Sequence, residues 1–216
     1  MRYRGTIAAV LSAALLCTAT GAALAAENTA GGQSDTAATQ QTAASVQQQK
    51  MQVTEIHRTD GASDYITAAP IDADGKIDPA QSVRLNLNED TVYIDTRTGV
   101  AADPATIQTG DAIYAYYSAA MTRSIPPQAT CYAVVVNLDD NAAPAHYLTA
   151  ESVTANADGS VTVLAGNGSI LVTVGKDTPV SPYLTKNIVT NADIRVGTRF
   201  FAWYDVVALS YPGQTG

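Results

Sequence analysis

Cysteine, histidine, tryptophan and phenylalanine are scarce in this chain of 216 residues, which carries two, two, one and two of them. Cys17 lies in an apolar N-terminal stretch and Cys131 opens a run of β-branched residues. With the first stretch removed, one thiol remains and no intrachain disulfide can form, although an oxidising compartment would permit one. Cys131 is therefore expected to be buried as a small hydrophobe. The histidines, His57 and His146, have no cysteine or carboxylate near them at metal-ligand spacing, so neither a zinc nor a copper site is expected. Basic side chains are also few, 12 against 20 acidic, for a net charge of −8. Such a surface repels phosphate backbones, which excludes nucleic acid as an expected partner. The chain also lacks a Gly-x-Ser-x-Gly elbow and a phosphate-binding glycine loop, and no cofactor is expected.

One long apolar run does occur. "MRYRGTIAAVLSAALLCTATGAALAAENTAGG" places Arg2 and Arg4 ahead of an apolar stretch closing in Ala23-Leu24-Ala25. This is the pattern of a secretory signal peptide, residues 1–25. The run from Ile7 to Ala26 is also about the roughly 20 residues a membrane-spanning helix needs, but the small-residue end and polar sequel fit cleavage better. Cleavage removes two basic residues and no acidic one, leaving 10 against 20 and a net charge of −10. No membrane association is then expected. Residues 26–49 are Ala, Thr, Gln, Ser and Gly with almost no large apolar side chain, a composition that cannot offset its ordering entropy; they read as a flexible linker with some transient helix near "TAASVQQQKMQ".

The rest of the chain repeats. A shift of 87 residues lays 85–118 on 172–205 without a gap, matching Asp90 with Asp177, Thr91 with Thr178, Ile107 with Ile194, Gly110 with Gly197, Ala115 with Ala202 and Tyr117 with Tyr204. Within each copy the pattern is β. "SVRLNLN" and "SILVTVG" alternate with period two, "DAIYAYYS" and "TRFFAWYD" are rich in aromatics, and "DADGK" and "NADGS" put Asp-Gly where a hairpin wants φ above zero. "DPATI" and "NADI" could each form one helical turn. Short, evenly spaced strands predict an all-β protein of two tandem small OB-like or SH3-like barrels, module 1 over 50–140 and module 2 over 141–216.

The copies part at their ends. In "MTRSIPPQATCYAVVVNL" the corner Pro126-Pro127-Gln128 leads into a β-branched run, which is expected to close the first barrel. With one residue deleted, Pro126 and Gln128 fall on Pro212 and Gln214 of "LSYPGQTG", and no Val-rich run follows. Module 2 is expected to lack its closing strand. It would then be open, borrow a strand from module 1 or the linker, exchange strands in a homo-oligomer, or belong to a shortened version of a longer protein. The repetition makes the corner a structural loop rather than a catalytic one.

Candidate sites are sparse. "IDADGKID" resembles part of a calcium loop, with Asp72, Asp74 and Asp78 as oxygen donors, but with Gly75 at the turn the first ligand would be Pro70 and the bidentate acid Gln81. It reads as a hairpin tip, and no metal residue is assigned. No catalytic residue is assigned either; pairs such as Glu89 with Asp90 or Asp139 with Asp140 read as turns. Asp90 and Asp177, each followed by Thr, are expected to bond their own turn backbone. The aromatics are the better lead. Strand alternation puts Ile113, Ala115 and Tyr117 on one face and Tyr114 with Tyr116 on the other, where the repeat places Phe201 and Trp203. That face could stack on cell-wall glycan, meet an envelope protein, or be covered by the sister module.

At "GDAIYAYYSAAMTRSIPPQATCYAVVVN" the chain resembles secreted repeat modules of Gram-positive anaerobes and bacilli, which occur ahead of copper-amine-oxidase-N-terminal-like, or stalk, domains. The resemblance spans roughly residues 51–216, and its specific part is the Ser-Ile-Pro-Pro-Gln corner followed by a Val-rich strand. It implies an extracellular or cell-envelope setting and brings no catalytic residues. The expectation is a secreted, non-catalytic binding or structural protein, with a secreted hydrolase of envelope or extracellular polysaccharide as the alternative.

Overall fold

The computed structural model describes residues 7–10, 45–59, 62–138, 144–183, 187–204 and 207–216. Apart from Ile7–Val10, the expected signal peptide, and most of the expected linker with it, lies outside them. The described residues are all-β, with three single 3-10 turns and no α-helix. The first strand, β1 (Ile7–Val10), is followed by β2 (Val46–Thr59), β3 (Ala62–Pro70), β4 (Val83–Asn86), β5 (Val92–Asp95), β6 (Ala112–Ser118) and β7 (Gln128–Val136). Then come β8 (His146–Thr149), β9 (Ser152–Ala155), β10 (Val161–Ala165), β11 (Ile170–Val174), β12 (Val180–Pro182), β13 (Arg199–Ala202) and β14 (Gly213–Thr215).

Strands β4-β3-β2-β6-β7 form one sheet that closes on itself through a parallel β4–β7 pairing, and β5 adds to the far side of β7. This is a closed five-stranded barrel. Alternation fills it: Met51, Val53, Ile66, Leu85, Ile113 and Val134 point inward and are almost wholly removed from water. The long strand β2 serves two partners, β6 with its first half and β3 with its second, and turns between them at a bulge near Val53. The stretch expected to be flexible linker ends earlier than residue 49. Val46 to Gln49 already pair with β6, and Tyr117 donates a hydrogen bond to the Gln49 side chain at 2.7 Å. Low apolar content concealed this strand because pairing with β6, not burial of its own side chains, orders it.

The second copy repeats the plan in pieces. β8 and β9 correspond to the two halves of β2, with Ala150 at the break. The Ala150 N–H donates to the Thr198 carbonyl at 2.8 Å and the Gly197 N–H returns to the Ala150 carbonyl at 2.7 Å. In the first copy Val53 makes the same two bonds with Asp111 and Gly110, at 2.9 and 2.8 Å. The Asp-Gly hairpins match as well: Gly75 and Gly159 have φ of 78° and 83°. Each donates to the carbonyl three residues back, Asp72 at 3.0 Å and Asn156 at 3.1 Å. The expected helical turns are the 3-10 turns Pro104–Thr106 and Asn191–Asp193.

As expected, no Val-rich closing strand follows the corner of module 2 among the described residues; the corner leads only into the three-residue β14. β14 pairs parallel with β11, with Leu171 opposite Gln214, as Arg84 stands opposite Gln128 in the first copy. Further along, the position of the rest of β7 is taken by β1, from the other end of the chain. It lies parallel to β12 and antiparallel to β13. Ala8 faces both Phe201 and Ser181, as Val135 faces both Tyr114 and Ile94. The strand comes neither from module 1 nor from the linker. Strand pairing is set by backbone groups and register, which sequence similarity to β7 does not report.

Gly110 and Gly197, at φ of 98° and 87°, have open space where a Cβ would stand. Alanine at either position is therefore expected to cost only the left-handed backbone penalty, about 1–2 kcal/mol. Urea unfolding of each variant checks this, and a stability equal to wild type would contradict it.

Candidate functional site

The aromatic face is where the two copies meet. β6 alternates as its sequence implies. Ile113, Ala115 and Tyr117 enter the first barrel; Phe200, Ala202 and Tyr204 do the same in the second. The opposite faces form a third apolar cluster, in which Tyr116, Val92, Ile94, Ala133 and Val135 pack with Phe201 and Ala145, and Tyr114 and Trp203 flank them half-buried. The Tyr116 and Phe201 rings meet edge to face, 5.3 Å between centroids at 84°, a geometry that sets a positive ring edge against a negative ring face. Phe201 also lies 5.1 Å from Tyr147 and 6.3 Å from Trp203. The structure thus brings Tyr114, Tyr116, Phe201 and Trp203 together, as a covered seam rather than an open stacking platform.

Two hydrogen bonds cross the seam. The Tyr116 hydroxyl donates to the Ala145 carbonyl, and the Tyr93 N–H donates to the Tyr183 hydroxyl at 2.9 Å. Both bonds run from the first copy to the second. Burial pushes the Tyr116 and Tyr93 phenols far above the ordinary tyrosine value, so both stay neutral and the Tyr116 hydroxyl keeps the proton it donates. The end of β7, from Ala133 to Val136, has no solvent face: Val134 and Val136 line the barrel, as Cys131 does before them, while Ala133 and Val135 line the seam. That double burial is why the strand ends in the unbroken apolar run Ala133–Val136. Cys131 is 1% exposed and burial pushes its thiol up to about 12, which makes it inert as a nucleophile.

The proline corners share their geometry. The Ile125–Pro126 and Tyr211–Pro212 peptides are both cis. Ser124 and Ser210 hydroxyls donate to the Pro126 and Pro212 carbonyls at 2.8 and 2.7 Å. The Gln128 and Gln214 carbonyls accept from Thr122 and Ala208 N–H groups at 3.0 and 2.8 Å, tying the base of each corner. Pro127 accepts from the Arg84 N–H at 2.8 Å, which anchors the corner to β4. At the tips Ile125 is 100% and Tyr211 88% exposed, so each corner holds an apolar side chain out in water.

The acidic side chains act locally. Asp72 accepts from the Asp74 and Lys76 N–H groups at 3.0 and 2.8 Å, which makes "IDADGKID" a hairpin tip. Asp95, Asp103, Asp111, Asp158 and Asp193 each accept a backbone N–H within their own turn. At the turn before β5 the side chains of Asn88 and Thr91 hold the backbone, the role expected of Asp90. No group of three or more His, Cys, Asp or Glu is placed to hold a metal ion among the described residues. His57 stacks on Tyr65 at 4.9 Å, and the Arg84 guanidinium lies 3.6 Å from the centre of the same ring, so strands on both sides cover Tyr65. This ladder is a surface cluster that repeat comparison and motif spacing missed; cross-strand register reveals it.

The chain matches no protein-family model, no curated protein and no solved structure.

Phe201→Ala is expected to cost about 3–5 kcal/mol, and a double-mutant cycle with Tyr116→Ala to give a coupling of about 0.5–1.5 kcal/mol. Additive losses in chemical denaturation would contradict a direct ring contact. His146 stacks on Tyr204 at 4.2 Å and 7°, and burial lowers its pKa, so the folded state binds fewer protons than the unfolded one just below the ordinary value of about 6.5. Its contribution is complete above that pH and declines as pH falls through this window. Melting temperatures between pH 7 and 5 check this: His146→Gln is expected to flatten the decline, and an unchanged slope would contradict it.

Proposed function

We propose that this is an exported, non-catalytic protein of the cell envelope or extracellular space, which acts as a rigid two-module unit for binding or spacing. The observation that carries the reading is the aromatic seam. Side chains best suited to stacking on sugar rings are engaged with each other, and the two modules are joined by apolar packing and by paired polar atoms. An interface of that kind resists relative motion of the two parts, which suits a spacer or a preformed docking body. The expected signal peptide, the acidic mature surface and the resemblance to secreted repeat modules ahead of stalk domains support the setting. The local engagement of the aspartates supports the absence of an acid–base pair, because carboxylates that accept the N–H groups of their own turns are aimed at the backbone and not at a shared cleft.

With the aromatic face covered, the exposed corner tips at Ile125 and Tyr211 are the repeated apolar surface left for a partner, which favours an envelope protein over a bare glycan. A hydrolase is the alternative reading. Incubation of the protein with peptidoglycan and soluble envelope polysaccharides tests both together, by release of reducing ends and by co-sedimentation. No release is expected. Saturable release of fragments, abolished by a single carboxylate substitution, would overturn the non-catalytic reading.

A further inference from the structure

The groove between β12 and β13 is built to hold a strand from elsewhere. In the first copy the equivalent groove, between β5 and β6, holds the end of β7, continuous with the corner that precedes it. In the second copy the corner and the first residues of the strand are present as β14, while the groove itself holds β1 in the same direction and register. β1 lies within the segment expected to be removed on export. Its removal would leave β12 without a partner among the described strands and β13 paired on one side only.

We propose that, in the exported protein, this groove is a strand-addition site that takes an extended, uncharged, Val- and Ala-rich segment of a partner protein, running parallel to β12. The inference rests on the export reading above. The occupant's chemistry follows from the walls. On one side lie Phe200, Ala202 and Val180 of the second core, and on the other Phe201 of the seam with the small Ser181 opposite it across the groove, so none of these residues offers a charged partner. A charged side chain at any of these positions would be desolvated without a partner. The best available template is the protein's own Ala133–Val136, which meets the corresponding walls in the first copy. Main-chain hydrogen bonds to both neighbours supply affinity, and the two-sided apolar demand supplies selectivity.

The probe is a synthetic peptide of residues 129–138 carrying Cys131→Ser, with a scrambled peptide as control. It is added to the full chain, to the full chain with Ala8→Pro, and to the exported chain. Proline at position 8 removes a ladder N–H and cannot sit in a central strand, so it frees the groove without touching its walls. Binding is read as a rise in melting temperature and as slowed amide exchange at Arg199–Ala202 and Val180–Ser181. The native-order peptide is expected to raise the melting temperature of Ala8→Pro and of the exported chain by about 5 °C at large excess, with the scrambled peptide inactive. The unmodified full chain is expected to respond to neither. Equal effects of the two peptides, or no protection at those amides in either freed form, overturns the proposal. So does an exported dimer whose 199–202 amides are already protected, because a second copy then fills the groove. Intact mass of the exported chain reports leader removal separately, so a retained N-terminus overturns the export reading while the Ala8→Pro result stands on its own.

Discussion

The edge-to-face packing of Tyr116 on Phe201 is the contact on which the rest of the molecule depends. Each ring sits on the strand that its own barrel uses twice, with the next residues along the strand pointing into the barrel core. Because β6 and β13 bury both faces, neither can shift register to relieve a poor fit on one side without exposing the other. The seam therefore fixes the strand positions in both copies at once. It also removes from water the very side chains that a sugar-binding face would display. Architecture and function meet at that point: a protein that buries its aromatic stripe between its own modules has given up one mode of recognition for rigidity.

Closure of the barrels is the second constraint. Both copies need a strand bonded on two sides in the same place, and the first copy supplies it as a direct continuation of its proline corner. The second supplies the corner, three residues of strand, and then a segment from the opposite end of the chain. A central strand of this kind is held mainly by backbone pairing, so quite different sequences can occupy it provided both faces are apolar. "IAAV" and "VVVN" have little in common beyond that, yet they stand in the same register. The consequence is a groove whose occupant is specified by chemistry and direction more than by residue identity.

Much of the fold was legible because the physics that sets it is local. Period-two alternation in "SVRLNLN", glycine at positive φ in the Asp-Gly hairpins, and the split of β6 into an inner and an outer face all follow from neighbouring residues, and the 87-residue shift extended each to the second copy. Long-range pairing was not legible. Val46 to Gln49 look like linker because three of the four are glutamines, and they become strand only through β6. Ile7–Val10 look like part of a leader because four apolar residues in an apolar run carry no mark of a strand. The Tyr65 ladder with His57 and Arg84 was hidden for the same reason, since its members are neighbours only across strands.

The central claim is that the seam makes the two copies one mechanical and thermodynamic body. Scanning calorimetry of the full chain and of Phe201→Ala addresses it most directly. One cooperative transition is expected in the wild type, with the calorimetric and van't Hoff enthalpies equal, and separation into two transitions when the ring is removed. Two independent transitions in the wild-type protein, or a Phe201→Ala chain in which the first copy melts unchanged within a still single transition, would contradict it.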